Sequence, residues 1–156
     1  RKPWAAIDFA PPLQTQGCVE TEQYALAIAD GVVARVDMGT VMLDLDGDGD
    51  ERTGWVILYL HVAEEGRVKV GDRLKQGDRV GRPSCEGGKA TGTHVHLARK
   101  YNGQWIPAAW SVLPFNLGGW VPVQGAEAYQ GELVRGTQRV RASTLSDSAS
   151  MITADK

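Results

Sequence analysis

The chain has 156 residues, 42% of them hydrophobic, and a formal net charge of -2, which allows one globular domain with a proper core and excludes two large ones. Its lysines and arginines are scattered and form no basic stripe, so nucleic acid is not expected as a partner. No apolar run approaches the length of a membrane span, and no signal peptide is visible. The sequence begins at Arg1 rather than Met, and is expected to be a processed or truncated piece of a longer chain.

In chain order, Trp4-Ala5-Ala6-Ile7-Asp8-Phe9 places one carboxylate in an apolar stretch. A buried acid without a partner is costly, so Asp8 is either hydrogen-bonded, ion-paired or bound to a cation, or else it is an exposed residue at a strand end. Ala25 to Arg35, Val41 to Leu45, Trp55 to His61, Arg67 to Leu74, Arg79 to Gly81 and His94 to Tyr101 are β-branched or aromatic-rich runs broken by Gly, Asp and Pro. Asp30-Gly31, Gly71-Asp72 and Gly77-Asp78 are turn chemistry at short intervals, and Val70 to Leu74 is echoed by Gln76 to Gly81. Nowhere do apolar residues keep helical spacing for three turns behind a cap. The expected fold is all-β, an antiparallel sheet closed as a sandwich or barrel. Cys18 and Cys85 leave a disulfide and two buried thiols equally open.

Two stretches carry ligand chemistry. Asp44, Asp46 and Asp48 alternate before glycines like the start of a Ca2+ loop, although the Glu expected at the twelfth position is Trp55. The other reading is a polar hairpin tip between Val41–Leu45 and Trp55–His61. The chain's three histidines are His61, at the end of a hydrophobic strand, and His94 and His96, one residue apart on another. Alternate residues of a strand share a face, so His94 and His96 project the same way about 7 Å apart, and one can bind a metal while the other touches a water on it. Val95 and Leu97 face the packed side. The preceding loop, Pro83 to Gly92, has glycines that allow close backbone approach of a ligand.

Taken together and in this order, Ile7-Asp8-Phe9, Ala29 to Val33, Leu58-Tyr59-Leu60-His61, the Val68-x-x-Gly71-Asp72 hairpin and Gly92-Thr-His-Val-His96 resemble the lysostaphin/LytM-type zinc metallopeptidases, and most of all their staphylolysin-like branch. The resemblance covers residues 4 to 105. It implies the duplicated-hybrid-motif fold of those peptidases and one catalytic Zn2+. Asp8 and His96 match its metal ligands. His94 and His61 match the two histidines that handle the water and the developing charge, His94 as general base and His61 as stabiliser of the tetrahedral intermediate, with the exchange fitting equally. Tyr59, two residues before His61, either shares its face and positions substrate or packs in the strand.

One position departs from that pattern. The compact His-x-x-x-Asp motif would need a histidine where Trp4 stands, and the staphylolysin-like form would place it upstream of Arg1. A catalytic zinc takes about three protein ligands, so the third is expected from an upstream segment or a second chain. The resemblance implies peptides of bacterial peptidoglycan, cross-bridge or stem, as substrate, and a secreted or cell-envelope location. Two other readings stay open: a non-catalytic cell-wall-binding or hydrolase-activating domain of the same fold and, more distantly, a phosphotransfer domain of related architecture.

Beyond Trp105 the resemblance stops. Pro107 to Trp120 reads as loop with an aromatic patch, and Trp105, Trp110, Phe115 and Trp120 either stack on sugar rings or close one end of a β core. Tyr129 to Arg135 and Gln138 to Ala142 read as a hairpin around Gly136. Residues 1–106 are thus expected to form the metallopeptidase-like domain, 107–142 its closing part, and 143–156 a flexible tail.

Overall fold

The structure is a computed structural model and describes residues 4–12, 15–145 and 147–153. Among these residues there are twelve β-strands, one 3-10 turn and no α-helix, as an all-β reading requires. The chain divides into two compact units, Ala6–Ile106 and a second made of the first five residues with Pro107–Lys156.

In the first unit, seven strands form one sheet: β1 (Ile7–Phe9), β3 (Gly31–Asp37), β4 (Thr40–Asp44), β5 (Trp55–Leu60), β6 (Arg73–Leu74), β8 (Val95–Tyr101) and β9 (Gln104–Ile106). The order is β1-β8-β5-β4-β3-β6, with β9 also on β8, and every pair is antiparallel. A small second sheet pairs β2 (Ala25–Leu26) with β7 (Arg79–Gly81). The central strands are covered on both faces. Val41, Met42 and Leu43 of β4 are successive buried residues, so this strand reads as a continuous apolar run rather than an alternating one.

The run Arg67 to Leu74, expected as a strand, is one only at β6. Its first half is a turn closed by its own aspartate. Asp72 accepts from the Lys69 amide at 2.8 Å, and the Asp72 amide donates to the Lys69 carbonyl at 3.1 Å. Asp78 repeats the device on Lys75, at 2.8 and 2.9 Å. Gly71 and Gly77 have φ of 90° and 92°, a region that costs glycine nothing. Each turn docks through two backbone bonds, Gly71 and Asp72 on Val33, Gly77 and Asp78 on Ala27. The echo seen in the sequence is therefore one turn used twice.

Tyr59 is fully buried in β5. Its hydroxyl donates to the Leu26 carbonyl at 3.0 Å and accepts from the Ile28 amide at 2.9 Å, and burial pushes its phenol up in pKa. Both polar capacities are used inside the core, which agrees with the reading of Tyr59 as a packed strand tyrosine.

Cys18 and Cys85 form a disulfide with Cα atoms 5.8 Å apart across 67 residues of sequence. Beside it, the Thr93 amide donates to the Gly17 carbonyl at 3.0 Å, and the Thr93 hydroxyl accepts from the Val19 amide at 2.9 Å. The strand-free segment around Cys18 is thereby fastened to the residue preceding His94.

The second unit holds a sheet of β10 (Val121–Gln124), β11 (Gly131–Arg135) and β12 (Gln138–Arg141), in that order. Glu132 takes Arg139 at 2.6 Å and Arg141 at 3.5 Å. Phe115 and Trp120 are buried, and the Arg135 guanidinium lies 4.7 Å from the Trp120 ring centroid. Trp110 stays partly exposed, as does Trp105 on β9 of the first unit, which lies under the Lys100 ammonium. In the expected tail, Ser148–Ser150 makes a 3-10 turn capped by Asp147, and the Ser150 hydroxyl donates to the Arg141 carbonyl at 2.7 Å. Residues 146 and 154–156 of that tail lie outside the described residues.

A crosslink that closes so long a loop restricts the unfolded chain by about 4 kcal/mol. Cys18→Ser/Cys85→Ser should therefore lower the unfolding free energy by about 2–5 kcal/mol in urea titrations read by tryptophan fluorescence.

Candidate metal and catalytic site

The antiparallel register of β1 on β8 sets Asp8 directly opposite His96. The Asp8 carboxylate reaches across that rung, with Oδ1 2.7 Å from His96 Nδ1. Two residues back along the chain, His94 brings its Nε2 to 4.0 Å from the other carboxylate oxygen, Asp8 Oδ2. On the other side of β8, Leu60 of β5 is the partner of His96, so the residue after that strand enters the same region. That residue is His61. Its ring centroid lies 4.5 Å from that of His94 and 6.4 Å from that of His96.

His61 does not continue its strand. It has φ of 67°, the left-handed region that costs a non-glycine residue energy and persists only where its surroundings hold it. Here they do. The His61 carbonyl accepts from the Ser84 amide at 2.7 Å and from the Ser84 hydroxyl at 2.9 Å, while the ring Nδ1 lies 2.9 Å from the Glu86 carbonyl. This bend also ends the strand alternation by which Tyr59 was expected to share a face with His61.

The same device holds His94, whose Nδ1 lies 2.7 Å from the Gly92 carbonyl. A carbonyl oxygen only accepts, so both histidines carry the proton on Nδ1. In the neutral form each then has a bare lone pair on Nε2. Burial lowers the pKa of His61, more than the Glu86 contact raises it, and the neighbouring His94 and His96 lower it further. His61 is 4% exposed, whereas the side chains of His94 and His96 are 19% and 33% exposed. The result is a neutral, buried imidazole next to two more accessible ones.

The loop carrying the Glu86 carbonyl is positioned by two glycines. A Cβ on Gly39 would run into the Glu86 carbonyl, and one on Gly87 into the Met38 carbonyl, so the β3–β4 turn and this loop meet backbone to backbone. Ser84, Glu86 and the Gly39/Gly87 pair are supports that the sequence reading did not single out, and Gly92 was marked there for its loop and motif and not for its carbonyl. Any residue type supplies a carbonyl, so only the glycine-rich character of residues 83–92 hinted at them.

Carboxylate oxygen and imidazole nitrogen are donors that suit zinc. Asp8 and His96 supply two of them in contact. The third is not assembled by the described residues: their only set of three His, Cys, Asp or Glu groups with ligand atoms all within 4.8 Å of one another is Asp44, Asp46 and Asp48. Position 4, where a compact motif would have histidine, is tryptophan. The residues present thus fit zinc in donor type and fall one short in number.

The three aspartates sit elsewhere. Asp44 pairs with Val56 and Thr40 with Leu60 in the β4–β5 ladder, so the acidic tip and His61 lie at opposite ends of that ladder. Burial first, and then the Asp46 and Asp48 carboxyls, push the Asp44 carboxyl up to about 6 against the lowering effect of the Gly49 amide.

An all-β sheet that brings one carboxylate and three imidazoles together has the composition of a metallopeptidase centre, in keeping with the lysostaphin/LytM resemblance. The chain belongs to peptidase family M23, whose model matches residues 3–107. Its fold is similar to that of pseudoalterin, an M23 metalloprotease from the deep sea, at 21% identity, a TM-score of 0.71 and coverage of 91% of this chain and 82% of that one. It is also similar to the catalytic domain of a prophage-encoded M23 protein, EnpA from Enterococcus faecalis, in its A109H mutant form, at 24% identity, a TM-score of 0.51 and coverage of 69% and 77%. No curated protein matches the chain. Among the described residues, no helix is long and apolar enough to cross a membrane.

Because folded His61 takes up its proton below the usual imidazole range and the unfolded chain takes it up near 6.5, the unfolded state binds more protons between the two values and stability falls as pH drops below about 6.5. The drop in urea midpoint from pH 7.5 to pH 5 should be smaller in His61→Asn than in the wild type.

Proposed function

We propose that the protein is a zinc-dependent endopeptidase that hydrolyses peptide bonds of bacterial peptidoglycan, in cross-bridges or stem peptides. The observation that carries the reading is the convergence of His61, His94 and His96 on Asp8, with the Nε2 lone pairs of His61 and His94 left available. Asp8 and His96 would hold the zinc, with a third ligand from an upstream segment or a second chain. Bound zinc would supply a water with a pKa near 7 and polarise the scissile carbonyl. His61 is the better-supported base, because burial keeps it neutral: its Nε2 accepts the proton of the attacking water and returns it to the leaving amine as the C–N bond breaks. His94, held by the Gly92 carbonyl on Nδ1, turns its Nε2 toward Asp8 and stabilises the oxyanion that develops as water attacks by donating to it when it carries a proton there. These roles are the exchange of those placed first in the sequence analysis, where both assignments fitted.

Family membership supports peptide hydrolysis as the reaction class, and the Cys18–Cys85 disulfide supports an oxidising compartment, as for a secreted or cell-envelope enzyme. The missing third donor favours a second reading, a non-catalytic domain that binds cell-wall material or activates a separate hydrolase.

Elemental analysis of protein purified without added metal, run beside amine release from isolated peptidoglycan, separates the two. The peptidase reading expects about one zinc per chain, lost in His96→Ala, and a kcat reduced about 10²–10⁴-fold with zinc retained in His61→Ala. Absence of both zinc and hydrolysis would transfer the assignment to the binding domain.

A further inference from the structure

The acidic hairpin tip between β4 and β5 has no part in the proposed peptidase chemistry. Its five acids divide into two groups. Asp50 and Glu51 each have an arginine, Arg52 at 2.9 Å and Arg35 at 2.7 Å. Asp44, Asp46 and Asp48 have no cationic side chain within ion-pair distance among the described residues, yet their carboxylate oxygens crowd within 4.8 Å of one another.

Asp44 makes this cluster unlike a solvated acidic surface. Its residue is 0% exposed, and its Oδ1 is buried with no hydrogen-bond partner, while Oδ2 accepts from the Gly49 amide at 2.7 Å. A carboxylate oxygen buried without a donor, on a side chain crowded by two other carboxylates, is a costly arrangement. A cation held among the three carboxylates offsets that cost. The surrounding turn is already closed: Asp46 accepts from the Asp48 amide at 3.1 Å, Asp48 accepts from the Asp50 amide at 2.7 Å, and the Thr53 hydroxyl donates to Asp48. The β3 strand is fitted against the same end, since a Cβ on Gly31 would come within 2.7 Å of the Asp44 carbonyl.

We propose that Asp44, Asp46 and Asp48 form a structural calcium site at the β4–β5 tip, separate from the Asp8/His96 centre. The donor set is all oxygen, which suits a hard cation and not zinc or copper. Carboxylates on a glycine-containing turn give the adaptable, oxygen-rich shell that calcium uses, whereas magnesium demands near-octahedral ligands and gives up its waters reluctantly. The twelfth-position glutamate of a helical calcium loop is absent because this loop returns into β5 at Trp55 rather than into a helix. The buried Asp44 side chain anchors the loop from the strand side.

The test is a titration of the full chain, freed of metal on a chelating resin, with CaCl2 alone and with MgCl2 alone, followed by calorimetry and thermal melting. Wild type is expected to bind one calcium and to melt about 5 °C or more higher with calcium at a hundredfold excess over its Kd, with a smaller response to magnesium. Asp46→Asn/Asp48→Asn changes only exposed side chains and should fold, melt like the metal-free wild type and lose the calcium response. His96→Ala should keep it, which separates this site from the peptidase reading. No heat of binding and no shift in the wild type would overturn the proposal, as would a calcium response that survives in Asp46→Asn/Asp48→Asn.

Discussion

One rung of backbone pairing, Asp8 of β1 opposite His96 of β8, is the constraint on which the site depends. Strand side chains alternate, so a slip of one residue in this short edge pairing would turn Asp8 away and leave three imidazoles without their carboxylate. The register is fixed by what flanks it. Ile7 and Phe9 take Leu97 and Val95 as partners, and β8 is in turn paired along six residues with β5, whose Val56, Ile57 and Tyr59 are buried. Packing energy far from the site thereby sets the distance between an oxygen and a nitrogen.

The remaining histidines reach the site by a different device. Neither His61 nor His94 lies within its neighbouring strand; both are held at strand ends by a backbone carbonyl on Nδ1. A carbonyl that accepts the Nδ1 proton decides the tautomer, and so decides that Nε2 is the nitrogen left with a free lone pair. His61 further requires a left-handed backbone, secured by two bonds from Ser84 and by the close approach of the loops at Gly39 and Gly87. Chemistry at this site therefore depends on main-chain geometry as much as on the four side chains.

That balance explains what the sequence could and could not reveal. The strands of the sheet centre were legible because Val41–Leu45 and Trp55–His61 are dense in apolar residues, and Asp8, His61, His94 and His96 stood out as candidates because histidine and an acid in an apolar run are rare types with few structural uses. The Arg67–Val70 half of an expected strand is a turn because Asp72 captures the Lys69 amide, a side-chain bond that composition does not announce. Strand β9 was passed over although Asn102-Gly103, with φ of 48° and 77°, is the strongest two-residue hairpin signal available. Strand β10 was hidden by Pro122, which an edge strand tolerates. The two readings of Tyr59 stayed open because its hydroxyl is bound by Leu26 and Ile28, far away in sequence, and the carbonyls of Glu86 and Gly92 carry no residue-type signature at all.

These carbonyls fix both His61 and His94 as Nδ1-protonated, with Nε2 free. Long-range 1H–15N correlation spectra of the metal-free protein at pH 7.5, with the histidines assigned by single substitution, report the tautomer of each ring directly. Both residues are expected to show a protonated Nδ1 and a pyridine-like Nε2. A spectrum in which either ring is predominantly Nε2-protonated would contradict this assignment, because that nitrogen could then neither accept a proton from water nor be the one the fold holds ready.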